Sequence, residues 1–197
     1  MNYLEKLITE RFLKMSEELE RKYKITKDQF KKIVEASFPE ASYKIFQGYF
    51  NTEDPRKEYR IRSQESAYLG MIPDAANKYT LTIKDKDKVG WRSEYEICLS
   101  VYGAKDLIKH CSKFIEKTRY LIQWNDLYLE VDMYSDDLII VEIEFESVEK
   151  FQNYIPTFEF EEEVTCNKQF YNSNLASNTM PTEWIDKKIA KYFPKYF

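Results

Sequence analysis

Most of the chain alternates between apolar and polar residues with a period of two, which is the pattern of β-strands. The alternation begins near residue 17 and recurs in segments rich in Tyr, Ile, Val, Phe and Thr, the residues that favour strands. These segments are 17–25, 43–51, 58–64, 78–86, 91–101, 114–123, 127–134 and 138–147. The pattern therefore predicts an α+β protein dominated by antiparallel β-structure.

Shorter segments with apolar residues at helical spacing accompany the strands. Thr26 and Gln29 form the pattern of a capping box, which predicts a helix that begins at residue 27. Pro181 and Pro194 bound the last helical segment. The predicted helices are 3–15, 27–36, 104–113, 147–153 and 182–193, and 65–77 is predicted to be a loop or hairpin excursion between two strands.

The composition excludes several classes of protein. The 197 residues carry a formal net charge of −4, so the chain lacks the basic field of a general nucleic-acid binder. No apolar run in the sequence approaches the roughly 18 residues that a membrane helix needs. Cys98, Cys111 and Cys166 are widely spaced, which predicts reduced thiols and a cytoplasmic location. The single histidine, His110, excludes a His-based triad and a multi-histidine zinc site.

Charged residues make up 32% of the chain, and many of them fall on one face of the predicted strands. Residues two apart share a face, and on these faces acids accompany acids and bases accompany bases. The pairs are Arg60/Arg62, Glu94/Glu96, Lys117/Arg119, Glu130/Asp132 and Glu142/Glu144. One interpretation is the solvated side of a two-layer sheet. Such a surface would mix the signs, however, because like charges at this spacing repel each other.

We therefore expect the charged faces to line an enclosed cavity whose ligands neutralise both signs. Divalent cations would satisfy the carboxylates, and a polyanion would satisfy the lysines and arginines. A phosphate chain with Mg²⁺ or Mn²⁺ supplies that combination. About eight strands closed into a barrel leave room for side chains or for one slender ligand. The pattern thus favours a closed eight-stranded antiparallel β-barrel with short helices packed outside.

The segment Glu18-Leu19-Glu20-Arg21-Lys22 resembles the ExExK motif of the CYTH superfamily, also called the triphosphate tunnel metalloenzymes. Later segments resemble further strands of that family in the same order. They are 47–50 (QGYF), 60–62 (RIR), 80–84 (TLTIK), 92–96 (RSEYE), 116–120 (EKTRY), 130–132 (EVD), 142–145 (EIEF) and the tail 155–176. The chain resembles compact bacterial inorganic triphosphatases rather than animal thiamine triphosphatases or class IV adenylate cyclases.

The resemblance implies a CYTH tunnel domain over 17–176, with helical extensions at 1–16 and 177–197. It implies that Lys22, Glu20 and Lys84 are catalytic. The implied ligands of two divalent ions, Mg²⁺ or Mn²⁺, are Glu18, Glu20, Glu130, Asp132, Glu142 and Glu144, with Glu94 and Glu96 as further tunnel acids. The implied triphosphate-binding residues are Arg60, Arg62, Lys84, Arg92, Lys117, Arg119 and Lys168.

The implied activity is hydrolysis of inorganic triphosphate (tripolyphosphate) by in-line attack of water. Hydrolysis of nucleoside or thiamine triphosphate, cyclisation of ATP and non-catalytic sensing of polyphosphate are alternatives, because the same cavity would serve all of them. No nucleic-acid or membrane partner is expected, and the protein would be a monomer or a homodimer. We also expect crowded carboxylates such as Glu142 and Glu144 to have raised pKa values in the absence of metal.

Overall fold

The computed structural model describes residues 14–67, 77–88 and 91–194, and the side chains of residues 19–67, 77–84 and 94–194. The strands in this part of the chain are β1 Lys14–Glu18, β2 Glu20–Ile25, β3 Ala41–Tyr49, β4 Lys57–Ser66, β5 Lys78–Lys88, β6 Trp91–Cys98, β7 Lys113–Trp124, β8 Leu127–Ser135, β9 Leu138–Glu144 and β10 Glu162–Glu163. All neighbours pair antiparallel, in the order β1-β6-β5-β4-β3-β7-β8-β9-β2-β10. The predicted antiparallel sheet is confirmed.

Short helices connect or follow these strands. Their bounds are α1 Lys27–Ala36, α2 Val101–Ile108, α3 Val148–Asn153, α4 Asn172–Leu175 and α5 Thr182–Tyr192, with a 3-10 turn at Lys168–Phe170. The capping box of α1 is present, because the Gln29 amide donates to Thr26 Oγ1 at 3.1 Å and the Thr26 amide donates to Gln29 Oε1 at 2.9 Å. The predictions of α1, α3 and α5 are confirmed to within one residue at each end.

Two predicted helices differ from the structure. Helix α2 begins three residues before the predicted 104–113, because the Ser100 hydroxyl caps it by accepting from the Gly103 amide at 3.2 Å. It ends at Ile108, and Lys113 already belongs to β7. Residues 3–13 of the predicted helix 3–15, and with them most of the extension 1–16, lie outside the described residues. The last two residues of the predicted helix form part of β1 instead, since their backbone pairs with β6.

Strands β1 and β2 are consecutive in the chain but lie near opposite ends of the sheet order. Strand β1 pairs with β6, and β2 pairs with β9, although only Leu19 separates β1 from β2 in the chain. The order itself runs openly from β1 to β10, so it does not confirm the closed eight-stranded barrel that the sequence predicts. Of the predicted excursion at 65–77, the first two residues extend β4, and residues 68–76 lie outside the described part.

The apolar residues of the strands pack beneath the helices. One cluster includes Tyr23, Val131 and Val141 from the strands, with Ile33 of α1 and Phe151 of α3 against them. A second cluster joins β3, β4 and β5 to α2 and α5; its members include Phe46, Ile61, Ala104, Ile108, Ile189 and Tyr192. Burial of these faces under helices leaves the charged faces of the same strands on the other side of the sheet.

Gly48 sets the approach of α2 to the sheet. A Cβ atom at this position would lie 2.5 Å from Ile108 Cδ1 and 2.8 Å from Cys111 Sγ, which is closer than van der Waals contact allows. Glycine therefore lets the end of α2 lie directly on β3.

The tail returns to the sheet after β10. Ser177 exchanges backbone hydrogen bonds with Phe114 on β7, at 2.9 and 3.0 Å. The apolar side chains of Leu175 and Ala176 pack beside Tyr49 and Ile115. These contacts fix the short helix α4 against the sheet.

None of the helices in the described residues is both long and apolar enough to cross a membrane.

Candidate active site

A cavity of about 250 Å³ lies against the charged faces of the strands. Strands β2, β4, β5, β6, β7, β8 and β9 all contribute to its walls, together with the tail. Its lining includes Glu20, Lys22, Glu58, Arg60, Arg62, Lys84, Glu94, Glu96, Arg119, Glu130, Glu142, Glu144, Tyr171, Asn172 and Ser173. Strand residues that are up to 124 positions apart, Glu20 and Glu144, thus meet at one site, on the face of the sheet that the period-two pattern selects.

Most of the predicted site residues are brought together there. Lys117 and Asp132 are buried directly behind the cavity wall and contact its residues. Lys168 is different, because its side chain is exposed on the 3-10 turn and is not part of the cavity lining. The side chains of Glu18 and Arg92 lie outside the described part of the structure, although their backbones pair with each other in β1 and β6.

We divide the site into two walls. The carboxylate-rich wall comes from β2, β7, β8 and β9; its charged members are Glu20, Lys22, Lys117, Arg119, Glu130, Asp132, Glu142 and Glu144. The arginine wall comes from β4, β5 and β6; its charged members are Glu58, Arg60, Arg62, Lys84, Glu94 and Glu96. Among the described side chains, the first wall has five carboxylates against three cations, whereas the second has three of each.

Lys22 is at the centre of the carboxylate-rich wall. Its buried Nζ donates to Glu142 Oε1 and lies 3.0 Å from Glu20 Oε1. Burial by itself would lower the pKa of Lys22, but the carboxylates of Glu142 and Glu20 raise it above its usual value. Lys22 therefore stays protonated at neutral pH and acts in the site as a fixed cation.

Arg119 joins three carboxylates of the same wall. Its guanidinium binds Asp132 through Nε and Nη2, both at 2.7 Å, and donates from Nη2 to Glu142 at 2.6 Å and from Nη1 to Glu130. Burial opposes the charged form, but Asp132 and Glu130 hold the pKa of Arg119 well above its usual value. The result is a continuous buried network in which each of the described cations of this wall, Lys22, Lys117 and Arg119, contacts at least one carboxylate.

Glu142 corrects one of the sequence expectations. Burial would raise the pKa of its carboxyl, but Lys22, Lys117 and Arg119 hold that pKa well below the usual value. The expected rise in pKa is wrong for Glu142. Along one strand, acids accompany acids, but other strands place the bases Lys22 and Arg119 beside Glu142. Glu142 is ionised before any metal binds.

On the arginine wall, Glu94 accepts from two cations. Arg60 Nη2 lies 3.3 Å from Glu94 Oε1 and 3.0 Å from Thr82 Oγ1, and Lys84 Nζ lies 2.9 Å from Glu94 Oε2. Glu96 is bound by Lys78 at 2.7 Å; burial opposes this effect, but the pKa of Glu96 is lowered by that lysine. Arg60, Lys84 and Glu94 are all buried.

Arg62 has a different environment from the other cavity cations whose side chains the structure describes. Among the described side chains, no carboxylate lies within ion-pair distance of its guanidinium. With its amide oxygen turned toward Arg62, Gln47 accepts from Nε at 2.8 Å and from Nη2 at 3.1 Å. Burial, followed by repulsion from Arg60 and Arg119, lowers the pKa of Arg62 to about 10. An anion in the cavity would relieve this destabilisation.

Lys117 shows the opposite effect to Lys22, although it also contacts a carboxylate. Its Nζ donates to Asp132 Oδ2, yet burial and the nearby Arg119 lower the pKa of Lys117 to about 8. The reason is that Asp132 is shared with the guanidinium of Arg119, so it only partly offsets the loss of water around Lys117.

Several cavity residues were missed in the sequence. Glu58 lies on the same strand face as Arg60 and Arg62, so the alternation of β4 could have identified it. Tyr171, Asn172 and Ser173 come from the tail, and no periodic signal points to them. Only the docking of α4 against the sheet brings them to the cavity.

The described carboxylates of the site have the donor atoms that a divalent cation requires, but they are not gathered around one point. Glu20 lies opposite Glu144, and Glu130 lies opposite Glu142, in the strand registers. Carboxylate oxygens are the donors that Mg²⁺ and Mn²⁺ prefer. In the part of the chain with described side chains, no group of three or more His, Cys, Asp or Glu is close enough to hold an ion. The donor chemistry fits a divalent cation, and binding would have to draw carboxylates away from Lys22 and Arg119.

Comparison with known proteins defines the class of the chain. No family model matches it. The chain is 32% identical over 154 residues to an inorganic triphosphatase of Nitrosomonas europaea, across 74% of this chain and 94% of that protein. A crystal structure of an inorganic triphosphatase superimposes with a TM-score of 0.52 and 29% identity, over 83% of this chain and 96% of the other. A protein from Pyrococcus horikoshii, 18% identical over 68% of this chain and 82% of its own, shares the fold with a TM-score of 0.55.

The fold, the charged cavity and these similarities together define a triphosphate tunnel protein. The chain belongs to the CYTH superfamily, and within it the similarity is to the bacterial inorganic triphosphatase branch.

Proposed function

We propose that the protein hydrolyses inorganic triphosphate in this cavity, with water as the attacking group. The observation that carries the proposal is Arg62, a cavity cation whose only described polar partner is the neutral amide of Gln47. Charges removed from water are normally paired, so this arrangement calls for an anionic ligand. The homology to an inorganic triphosphatase supports a phosphate chain as that anion.

The arginine wall is proposed to bind the phosphate chain. Arg60, Arg62 and Lys84 point into one cavity from adjacent strands and would contact successive phosphate oxygens. Phosphoryl transfer depends mainly on positioning and on stabilising negative charge, which fixed cations at a partly enclosed site supply. Lys22 would stabilise the charge that develops at the reacting phosphate, because its raised pKa keeps it protonated.

The carboxylate-rich wall is proposed to hold Mg²⁺ or Mn²⁺. Its surplus of carboxylates over cations supports this role. The residues that would hold the ions are Glu18, Glu20, Glu130, Asp132, Glu142 and Glu144, as the family resemblance implies. When bound, such ions make a coordinated water more acidic and neutralise phosphate oxygens. Histidine is not needed for either effect.

We further propose that the sheet curls into a tunnel around this cavity. Seven strands contribute to the cavity walls, which requires a strongly curved sheet. The continuity of β1 and β2 across Leu19 supports closure, because these two strands pair with opposite ends of the remaining sheet. Closure would shield the phosphate chain from bulk solvent and strengthen each contact with it.

The experiment is a phosphate-release assay with tripolyphosphate, ATP and thiamine triphosphate, each with Mg²⁺, with Mn²⁺ and with excess chelator. We expect the highest kcat/KM with tripolyphosphate and no release under chelation. Preferred turnover of ATP or thiamine triphosphate would replace the proposed substrate. Tight binding of tripolyphosphate without phosphate release would instead show a sensor.

A further inference from the structure

The ammonium group of Lys117 is enclosed by groups from β8 and from the tail. Its Nζ donates to Asp132 and lies 3.4 Å from Oδ1 of Asn172, the first residue of α4. The ring of Tyr134 covers it, with its centroid 5.5 Å from Nζ. These contacts remove the Lys117 side chain from solvent completely.

Asn172 is itself held by the sheet through the same oxygen. Its Oδ1 accepts from the Tyr134 hydroxyl at 2.5 Å. An amide oxygen that one donor fixes in place can direct a flexible lysine without neutralising its charge. Asp132 is less suited to that task, because it also binds Arg119 through two nitrogens.

Asn172 also connects Lys117 to the cavity. Asn172 lines the cavity between Tyr171 and Ser173, whereas Lys117 lies behind the wall. A small movement of the lysine past Asn172 would therefore bring its charge to a ligand at this end of the cavity.

We propose that Asn172, in the tail, is a positioning residue that aims Lys117 at the phosphate chain. Tyr134 acts in the same assembly by fixing the Asn172 oxygen. The proposal rests on the proposed function insofar as a phosphate chain is the ligand. Asn172, a residue of the tail outside the strands, would then contribute to the affinity for the phosphate chain.

The main experiment is a double-mutant cycle between Asn172→Ala and Lys117→Met. The dissociation constant of tripolyphosphate would be measured by calorimetry with Ca²⁺ in place of Mg²⁺, and KM and kcat would be measured with Mg²⁺. Asn172→Ala should weaken the contact between Lys117 and the phosphate chain. The dissociation constant and KM should then rise about five- to tenfold, with little change in kcat. In the Lys117→Met background, Asn172→Ala should have no further effect, because the residue acts through the lysine.

A matched control separates positioning from simple anchoring of the tail. Asn174 lies in the same short helix, is exposed, and donates from Nδ2 to the Lys168 carbonyl at 2.7 Å without reaching the cavity. Asn174→Ala should therefore leave both constants unchanged. If Asn172→Ala lowers the melting temperature strongly, Tyr134→Phe provides the same comparison, because it removes the hydroxyl and keeps the ring over Lys117.

Three results would overturn the proposal: unchanged affinity in Asn172→Ala, an equal loss in the Lys117→Met background, or an equal loss in Asn174→Ala. Failure of the proposed function is a separate result. A wild-type protein that binds tripolyphosphate without releasing phosphate is no triphosphatase, yet its dissociation constants still test the role of Asn172. A wild-type protein that neither binds nor hydrolyses tripolyphosphate overturns both proposals.

Discussion

The two walls of the cavity solve the problem of buried charge in different ways. On the carboxylate-rich wall, Lys22, Arg119 and Lys117 each contact a carboxylate, and the carboxylates remain in surplus. On the arginine wall the described acids and bases are equal in number, but Arg62 contacts an amide where the other described cations contact a carboxylate. The surplus carboxylates of the first wall could therefore bind cations, and the Arg62 guanidinium of the second wall could bind an anion. A metal–polyphosphate complex would satisfy both walls at once.

The largest expected effect comes from removing the divalent cations that the carboxylate-rich wall is proposed to bind. If this wall holds catalytic cations, excess chelator should lower phosphate release by about a thousandfold or more, because several kcal/mol of charge stabilisation is lost. Added Mg²⁺ or Mn²⁺ should restore it. The measurement is the initial rate of phosphate release, with circular dichroism to verify that the fold survives chelation. Full activity in chelator would refute a metal role for this wall.

The second prediction concerns the stability of the same wall. Glu142→Gln removes the buried carboxylate that Lys22 and Arg119 share and should lower the free energy of unfolding by about 3 kcal/mol at pH 7. Because the folded pKa of Glu142 lies below its unfolded value, its contribution is present above about pH 4.3 and is lost as the pH falls through the folded pKa. Urea unfolding at pH 7 and pH 3 measures the difference, which should shrink at pH 3.

The control for this prediction is Glu146→Gln, which removes an exposed carboxylate that pairs with Lys150 on the surface. Surface pairs of this kind contribute little, so this variant should behave as wild type. Equal stability of Glu142→Gln and Glu146→Gln would show that the buried network is not stabilising.

The third prediction tests the arginine wall. Arg62→Gln removes the cation that lacks a carboxylate and should lower kcat/KM for tripolyphosphate about a hundredfold, since charge-assisted contacts to phosphate are lost. The protein should be no less stable, because an unpaired charge is removed together with its burial cost. Steady-state kinetics and thermal unfolding measure the two effects. Arg56→Gln, on an exposed arginine bound to Asp54, is the matched control.

The smallest expected effect is the pH dependence of Lys117. Its pKa of about 8 means that the ammonium of the free protein loses its charge as the pH rises through 8. The affinity for tripolyphosphate should then fall, by at most about tenfold for one contact. Titration calorimetry between pH 6.5 and 9.5 measures this step. Lys117→Arg should abolish it, because arginine stays protonated over that range; a step that persists would have another origin.

The charge pattern along a single strand predicts which face carries the charged residues, but it does not predict how those charges are neutralised. The alternation placed Arg60, Arg62, Glu94 and Arg119 on one face, and the cavity contains all of them. The sorting of like charges suggested that only a ligand could neutralise them. In the structure, Glu142 is neutralised by Lys22 of the adjacent β2 and by Arg119 across the site. Which strands are neighbours depends on the topology of the sheet, so the sequence of a single strand does not predict which charges will meet across strands.

The amino-acid sequence by itself determined the local elements of this protein. The local signals are the period-two alternation, the Thr26–Gln29 capping box and the prolines around α5. Each depends only on residues that are close in the chain, so the sequence predicts it without knowledge of the fold. The same alternation selected the face of each strand on which the charged residues lie.

Only the tertiary structure decided which charges meet and which remain without a carboxylate. Arg62 faces Gln47 because β3 pairs with β4, and Asn172 reaches Lys117 because the tail docks beside β7. Electrostatic energy depends on distance in space and on exclusion of water. Neither quantity exists until strands from distant parts of the chain and the tail have packed around one cavity.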